Sequence, residues 1–265
     1  MGGSDRPPCR RPIRGFADWG TGLCDSLFTP SQAVDFFVDP FEEWLSSRGF
    51  NDICLVGHSL GGYLSARYAL KYPDRVSRLI LASPVGLPSK PADTLPPSEL
   101  PRTMRLLDAL WSSNFTPQQL IRAMGAIRGR NAVARSLGGR IPHLSDTNAE
   151  LLGDYLYHIT VAHPSGEFAM NSLLEPAASF SSVGVYAREP LEGPLRSLDS
   201  SIEMTVFFGD SDWMRFNEGS AREVTDHLRE ERNMVANTYI IPNAGHHLYL
   251  DNVSDFVMRA LKEVN

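Results

Sequence analysis

Three side chains of this sequence have the types and the chain order that acyl chemistry through a serine requires. Ser59 stands in Gly57-His58-Ser59-Leu60-Gly61-Gly62, between the apolar run Ile53-Cys54-Leu55-Val56 and a helix-like run over residues 63–70 that ends before Tyr72-Pro73. A strand turning sharply into a helix lifts a serine Oγ above its sheet, and the flanking glycines are expected because a Cβ there would strike neighbouring backbone. The helix N-terminus favours the negative charge that grows on a carbonyl oxygen during acyl transfer, and the Leu60 amide is the donor expected to bind it. A serine hydroxyl is a poor nucleophile until a histidine takes its proton and a carboxylate orients that histidine. Both follow later in the chain.

Met204-Thr205-Val206-Phe207-Phe208 reads as a buried strand that ends in Gly209-Asp210-Ser211-Asp212. Asn237-Thr238-Tyr239-Ile240-Ile241-Pro242 reads as another, followed by Asn243-Ala244-Gly245-His246-His247. The carboxyl ends of neighbouring strands are where open α/β sheets build their sites. Asp212 is preferred as the acid, with Asp210 as a turn-capping residue. His246 is preferred as the base, with His247 packing beside the loop. A metal reading of the histidine pair lacks a suitably spaced third ligand, and serine chemistry calls for no metal or cofactor.

The elements that must position these groups are legible around them. Thr29 is expected to cap a helix with Pro30 in its first turn, and Val34, Phe37, Val38, Phe41, Trp44 and Leu45 recur at helical spacing. Pro40 should kink or restart that helix, with Asp39 as a second cap. Residues 78–82 supply the strand after the serine helix, and Cys54 reads as a small core residue in the strand before it. The long interval between Ser59 and Asp212 points to a helical cap inserted over residues 88–198, with helices near 99–112, 117–128 and 148–162. Thr147 with Glu150 reads as a capping box for the last of these. Trp111, Phe115, Tyr155, Tyr157 and Phe168 read as cap core ahead of substrate wall, and His143, His158 and His163 as surface or structural histidines. Such a cap can enclose an apolar pocket and exclude water.

Gly57-His58-Ser59-Leu60-Gly61-Gly62-Tyr63, Lys71-Tyr72-Pro73-Asp74-Arg75-Val76, Leu79-Ile80-Leu81-Ala82-Ser83-Pro84-Val85-Gly86-Leu87-Pro88 and Gly245-His246-His247-Leu248-Tyr249-Leu250-Asp251 together resemble the α/β-hydrolase subgroup of lysophospholipases. That subgroup includes a cardiolipin deacylase, lysophosphatidate acyltransferases and the co-activator of adipose triglyceride lipase. The resemblance implies an α/β fold with a mostly parallel sheet, its core over residues 18–87 and 199–265, and the acid three residues after the glycine of Gly209-Asp210-Ser211-Asp212. It also implies an intracellular protein acting on acyl esters of phospholipids or lysophospholipids, with peripheral membrane, lipid-droplet or mitochondrial contact. The alternatives are acyl transfer to lysophosphatidate and a catalytically weak co-activator or scaffold. His246 and Asp251 have the His-x4-Asp spacing that resembles a glycerolipid acyltransferase signature; the preferred reading makes Asp251 the cap of a final helix over 252–263.

Composition agrees. A chain of 265 residues with 42% hydrophobic content can bury one sizeable core, and a net charge of −6 argues against nucleic acid as partner. Cys9, Cys24 and Cys54 are odd in number and irregularly spaced, which suits reduced thiols. No run reaches the length of a membrane span, no secretory h-region is visible, and Arg6 stands where a myristoylation signal needs Ser or Thr. Residues 1–14 are polar and rich in Pro and Arg, which reads as disorder, with at best a remnant strand over 13–17 leading to Asp18-Trp19-Gly20-Thr21-Gly22.

The departure from the resemblance matters equally. Residues 1–52 contain no His-Gly motif and no credible strands one to three. The Leu60 amide is then the only identifiable oxyanion donor, and loss of one such donor typically costs about 100- to 1,000-fold in kcat. The strand over 53–56 is expected to be an exposed apolar edge, in a chain read as amino-terminally truncated or completed by a partner.

Overall fold

The computed structural model describes residues 29–96, 98–141, 145–164, 166–178 and 183–264. The expectations for residues 1–28, Cys9 and Cys24 among them, and for His143 lie outside these.

The first half of the core is α1 (Pro30–Arg48), β1 (Ile53–His58), α2 (Leu60–Lys71) and β2 (Val76–Ala82). Thr29 caps α1: its hydroxyl accepts the Gln32 amide hydrogen, the Gln32 side chain accepts that of Thr29, and Pro30 stands where no helical N–H is needed. The helix runs on through Pro40 without a restart. Asp39 is not a cap. It accepts from Lys71 Nζ at 2.6 Å and from Tyr72 Oη at 3.1 Å, while Glu42 accepts from Tyr68 Oη at 2.5 Å and from Arg75 Nε at 3.0 Å. With Val34, Val38 and Leu45 buried, these contacts fasten α1 on both sides of the proline and outweigh its one lost backbone bond.

Between β2 and the next core strand the chain folds as α3 (Arg102–Ser112), α4 (Pro117–Ala123), α5 (Gly125–Arg140), α6 (Asp146–Val161), α7 (Glu167–Leu173), the antiparallel pair β3 (Leu174–Ala178) and β4 (Val183–Ala187), and the short α8 (Glu192–Leu195). The single helix expected over 117–128 is two, because Gly125 takes φ +73° and breaks the run. The expected box at Thr147 and Glu150 is displaced: Ser145 caps α6 and its hydroxyl accepts the Asn148 amide at 3.4 Å. Trp111 donates its indole N–H to Leu174 O at 3.0 Å, and Tyr157 is buried; Phe115 and Phe168 are half-buried and Tyr155 is exposed. His158 faces Arg130, and His163 is exposed.

The chain returns to the core with β5 (Glu203–Gly209), α9 (Glu218–Glu230), β6 (Ala236–Ile241), α10 (Leu248–Asp251) and α11 (Val253–Val264). The described sheet is parallel, in the order β1-β2-β5-β6. Successive strand residues point to opposite faces, and both faces are covered. Leu79, Leu81, Met204, Val206 and Phe208 join α1, α2 and α9 in one core, while Ile80, Phe207 and Ile241 pack with Leu248 and Phe256 in the other. Continuous apolar strands are therefore required by the architecture.

Within the described residues β1 pairs with β2 alone and forms one edge of the sheet. Cys54 and Val56 are exposed there, so Cys54 is not the core residue expected. Phe37, Phe41, Leu64 and Tyr68 line a groove of about 370 Å³ along that edge.

Candidate functional site

The turn from β1 into α2 puts Ser59 at φ +54°, ψ −119°, a conformation that costs a non-glycine residue about 1–3 kcal/mol and persists only where its surroundings enforce it. The enforcement is local: Ser59 N–H donates to Ala82 O at 3.0 Å, and Ser59 O accepts from Tyr63 N at 3.2 Å and Val85 N at 3.3 Å. A Cβ on Gly57 would lie 2.4 Å from Gly61 O, so that glycine is obligatory. Gly61 is not. Among the described residues nothing lies within 4 Å of the Cβ it would carry, whereas one on Gly62 would press on Pro84 at 3.0 Å. Leu60 is the first residue of α2, so its amide has no intrahelical acceptor.

The β5 and β6 loops meet above the same edge. A Cβ on Gly209 would lie 2.2 Å from Ala244 O, which explains how the two loops approach so closely. Ser59 Oγ is 3.0 Å from His246 Nε2, and His246 Nδ1 is 3.0 Å from Asp212 Oδ1. The Asp212 side chain is fully buried and the His246 ring almost so. Burial pushes the Asp212 carboxyl up, but the hydrogen bond from His246, the nearby Ser83 hydroxyl and the Met214 amide prevail and hold it below the ordinary carboxylate range. An ionised carboxylate only accepts, so His246 Nδ1 carries the ring hydrogen and Nε2 is left to accept from Ser59 Oγ. Ser83 Oγ and Asp212 Oδ2 are buried beside each other outside full hydrogen-bond geometry, and neither has another partner among the described residues.

Asp210 does different work. Its carboxylate accepts Asn243 N–H at 2.8 Å and Ala244 N–H at 3.1 Å, bonds that hold its pKa below the usual range. Asp251 takes the next amide, that of Gly245, at 2.8 Å. It does not cap the final helix: Asn252 does, through Oδ1 to Asp255 N at 3.2 Å. Two carboxylates thus grip three consecutive amides just before His246. On the other side His58 Nε2 lies 2.9 Å from His246 O; burial, reinforced by His246 and His247, pushes the His58 imidazole down, so a neutral ring donates that bond. His247 faces Tyr249 Oη at 3.3 Å, and Trp213, largely exposed, lies with its ring 5.1 Å from that of His246.

Sequence reasoning missed Ser83, the bond of His58 to the His246 backbone, and the grip of Asp210 and Asp251. Asp210 stood in the motif, but only the fold brings the 243–245 amides to it.

Residues 1–253 match the family described as the alpha/beta hydrolase fold. The chain belongs to the α/β-hydrolase family. A probable 1-acylglycerol-3-phosphate O-acyltransferase of Oryza sativa subsp. japonica is 33% identical over 234 residues, which cover 83% of this chain and 52% of that protein. A (lyso)-N-acylphosphatidylethanolamine lipase of Bos taurus is 29% identical over 238 residues, 84% of this chain and 61% of that one. The chain therefore spans between about half and three fifths of the length of these two relatives. Among solved structures, a 2-hydroxy-6-oxo-6-phenylhexa-2,4-dienoate hydrolase from Rhodococcus matches with a TM-score of 0.57 at 13% identity, covering 89% of this chain and 72% of that one, a likeness of fold alone. This α/β hydrolase has lipid-named relatives on both sides of acyl chemistry.

Proposed function

We propose that this chain hydrolyses acyl esters of glycerophospholipids or lysophospholipids, with Ser59 as nucleophile, His246 as base and Asp212 as its orienting acid. The observation that carries the reading is the unbroken line from Ser59 Oγ through His246 to buried Asp212, with both links at 3.0 Å. Ser59 Oγ attacks the ester carbonyl as its proton passes to His246 Nε2, and the Leu60 amide stabilises the oxyanion. The tetrahedral intermediate collapses with cleavage of the C–O bond, and His246 returns the proton to the leaving alcohol. Water, deprotonated by His246, then releases the fatty acid and restores Ser59. Residues 88–198 act as the cap over this centre, between the two core segments that carry Ser59 and the Asp212–His246 pair. The lipid-related names of the relatives support the substrate class, and contact with a membrane or lipid-droplet surface follows from it.

The test is fluorophosphonate labelling of the purified chain together with fatty-acid release from a lysophospholipid. Label on Ser59, lost in Ser59→Ala along with release, is expected; fatty-acid release retained in Ser59→Ala overturns the reading.

The name of the Oryza relative favours a second reading, acyl transfer to lysophosphatidate. Against it, the Asp251 carboxylate is engaged by the Gly245 amide. Acyl-CoA-dependent transfer measured beside hydrolysis separates the two.

A further inference from the structure

Residues 109–145 contain five arginines, Arg122, Arg128, Arg130, Arg135 and Arg140, and no Asp or Glu, in a chain whose net charge is −6. Two of the five are used internally. Arg122 pairs with Glu167, and Arg130 pairs with Asp154 while lying 4.6 Å over the Tyr157 ring. Arg128 and Arg135 are exposed and have no acidic partner among the described residues. They stand seven residues apart on α5, two turns along one face, with exposed Ile127, Asn131 and Ala134 between and beside them. The opposite face is spent on packing: Gly129 and Leu137 are buried, and a Cβ on Gly129 would touch the Tyr157 ring at 3.1 Å. Ile127 is 79% exposed, and Leu120 on the adjoining α4 is 52% exposed.

We propose that this face of α4 and α5 docks on an anionic phospholipid surface. A β-branched aliphatic side chain projecting beside guanidinium groups that have no acidic partner among the described residues matches an interface where anionic headgroups lie above acyl chains. Arginine stems can lie along the apolar boundary while the heads stay among phosphates. The charge segregation favours this orientation: a chain of net charge −6 carries five arginines and no carboxylate over residues 109–145, so that segment is attracted to a negative surface that repels acidic ones. The inference extends the lipid reading given above, yet it is measured without turnover, so failure of either leaves the other standing.

The experiment is sedimentation of the full chain with vesicles of phosphatidylcholine, with and without added phosphatidylserine. Binding is expected with phosphatidylserine, weakening as salt rises, and little without it. Arg128→Glu combined with Arg135→Glu should lower the bound fraction about tenfold or more, and Ile127→Ser should lower it separately. Thermal melting and hydrolysis of a water-soluble short-chain ester should be unchanged, because each of these side chains is exposed. Equal binding to both vesicles, charge-dependent binding that the variants leave intact, or sedimentation without vesicles that the variants abolish, which would mean pairing with a second copy, each overturns the proposal.

Discussion

Asp251 Oδ2 accepts the Gly245 amide hydrogen at 2.8 Å, one residue before His246. The spacing that resembles an acyltransferase signature thus joins His246 to a residue that holds its loop. Asp251→Asn keeps a carbonyl acceptor but loses the charge that strengthens the bond, a difference of about 1 kcal/mol. Hydrolysis and any acyl transfer should fall together, about fivefold on that figure, with a melting temperature lower by a few degrees. Parallel assays of fatty-acid release and of transfer from acyl-CoA decide it. Transfer lost while hydrolysis persists would place Asp251 on the acceptor hydroxyl instead.

Ser59→Ala, His246→Ala and Asp212→Ala should each remove esterase activity by about 10⁴-fold or more, since groups acting as one unit give non-additive losses. Asp210→Ala should behave differently. It frees two amides of the loop that carries His246 without touching the ring, so a partial fall in kcat with a lower melting temperature is expected. An Asp210→Ala protein as dead as Ser59→Ala, beside an active Asp212→Ala, would reverse the assignment of the acid.

Ser83 offers a test through pH. Asp212 has its carboxyl held below the ordinary range, with the Ser83 hydroxyl among the causes. A group whose folded pKa is depressed adds stability above its unfolded pKa and loses it as pH falls through the folded one. Ser83→Ala removes one of the supports, raises the folded pKa of Asp212 and so moves the acid loss of stability to higher pH. Melting temperatures followed from about pH 6 down through the carboxylate range near pH 4 should show the variant failing first. Superimposed curves would mean that the hydroxyl does nothing for the carboxylate.

The chemistry-bearing letters were legible because each stands at the end of an apolar strand: Ser59 after β1, Asp212 after β5, His246 after β6. Buried parallel strands have no polar alternation, so they announce themselves as short apolar runs between loops. The helix does not restart at Pro40, because propensity describes an isolated helix, whereas Lys71, Tyr68 and Arg75 fasten α1 from outside. Ser145 was passed over for Thr147 since both can cap and only the turn decides. The partners of Asp210 and Asp251 were not readable, because bonds to backbone amides leave no mark on residue type at the acceptor's partner. The same limit hid Ser83, whose neighbour in space is far along the chain.

The glycines around Ser59 give the sharpest separation of motif from necessity. Both Gly57 and Gly61 belong to the Gly-x-Ser-x-Gly pattern, but their surroundings differ. A Cβ on Gly57 would meet Gly61 O and Ser65 Oγ at 2.4 Å, and backbone cannot yield there without displacing the turn that strains Ser59. Gly57→Ala should therefore abolish activity and leave the chain poorly folded. Gly61 lies within α2, exposed, with a helical backbone and nothing among the described residues within 4 Å of a new Cβ. Alanine is better than glycine in a helix by about 0.5–1 kcal/mol, so Gly61→Ala should keep its esterase rate and melt at the same or a higher temperature. Melting curves and ester turnover of the two variants side by side decide the matter. A Gly61→Ala protein as damaged as Gly57→Ala would mean that the second glycine answers to a contact outside the described residues.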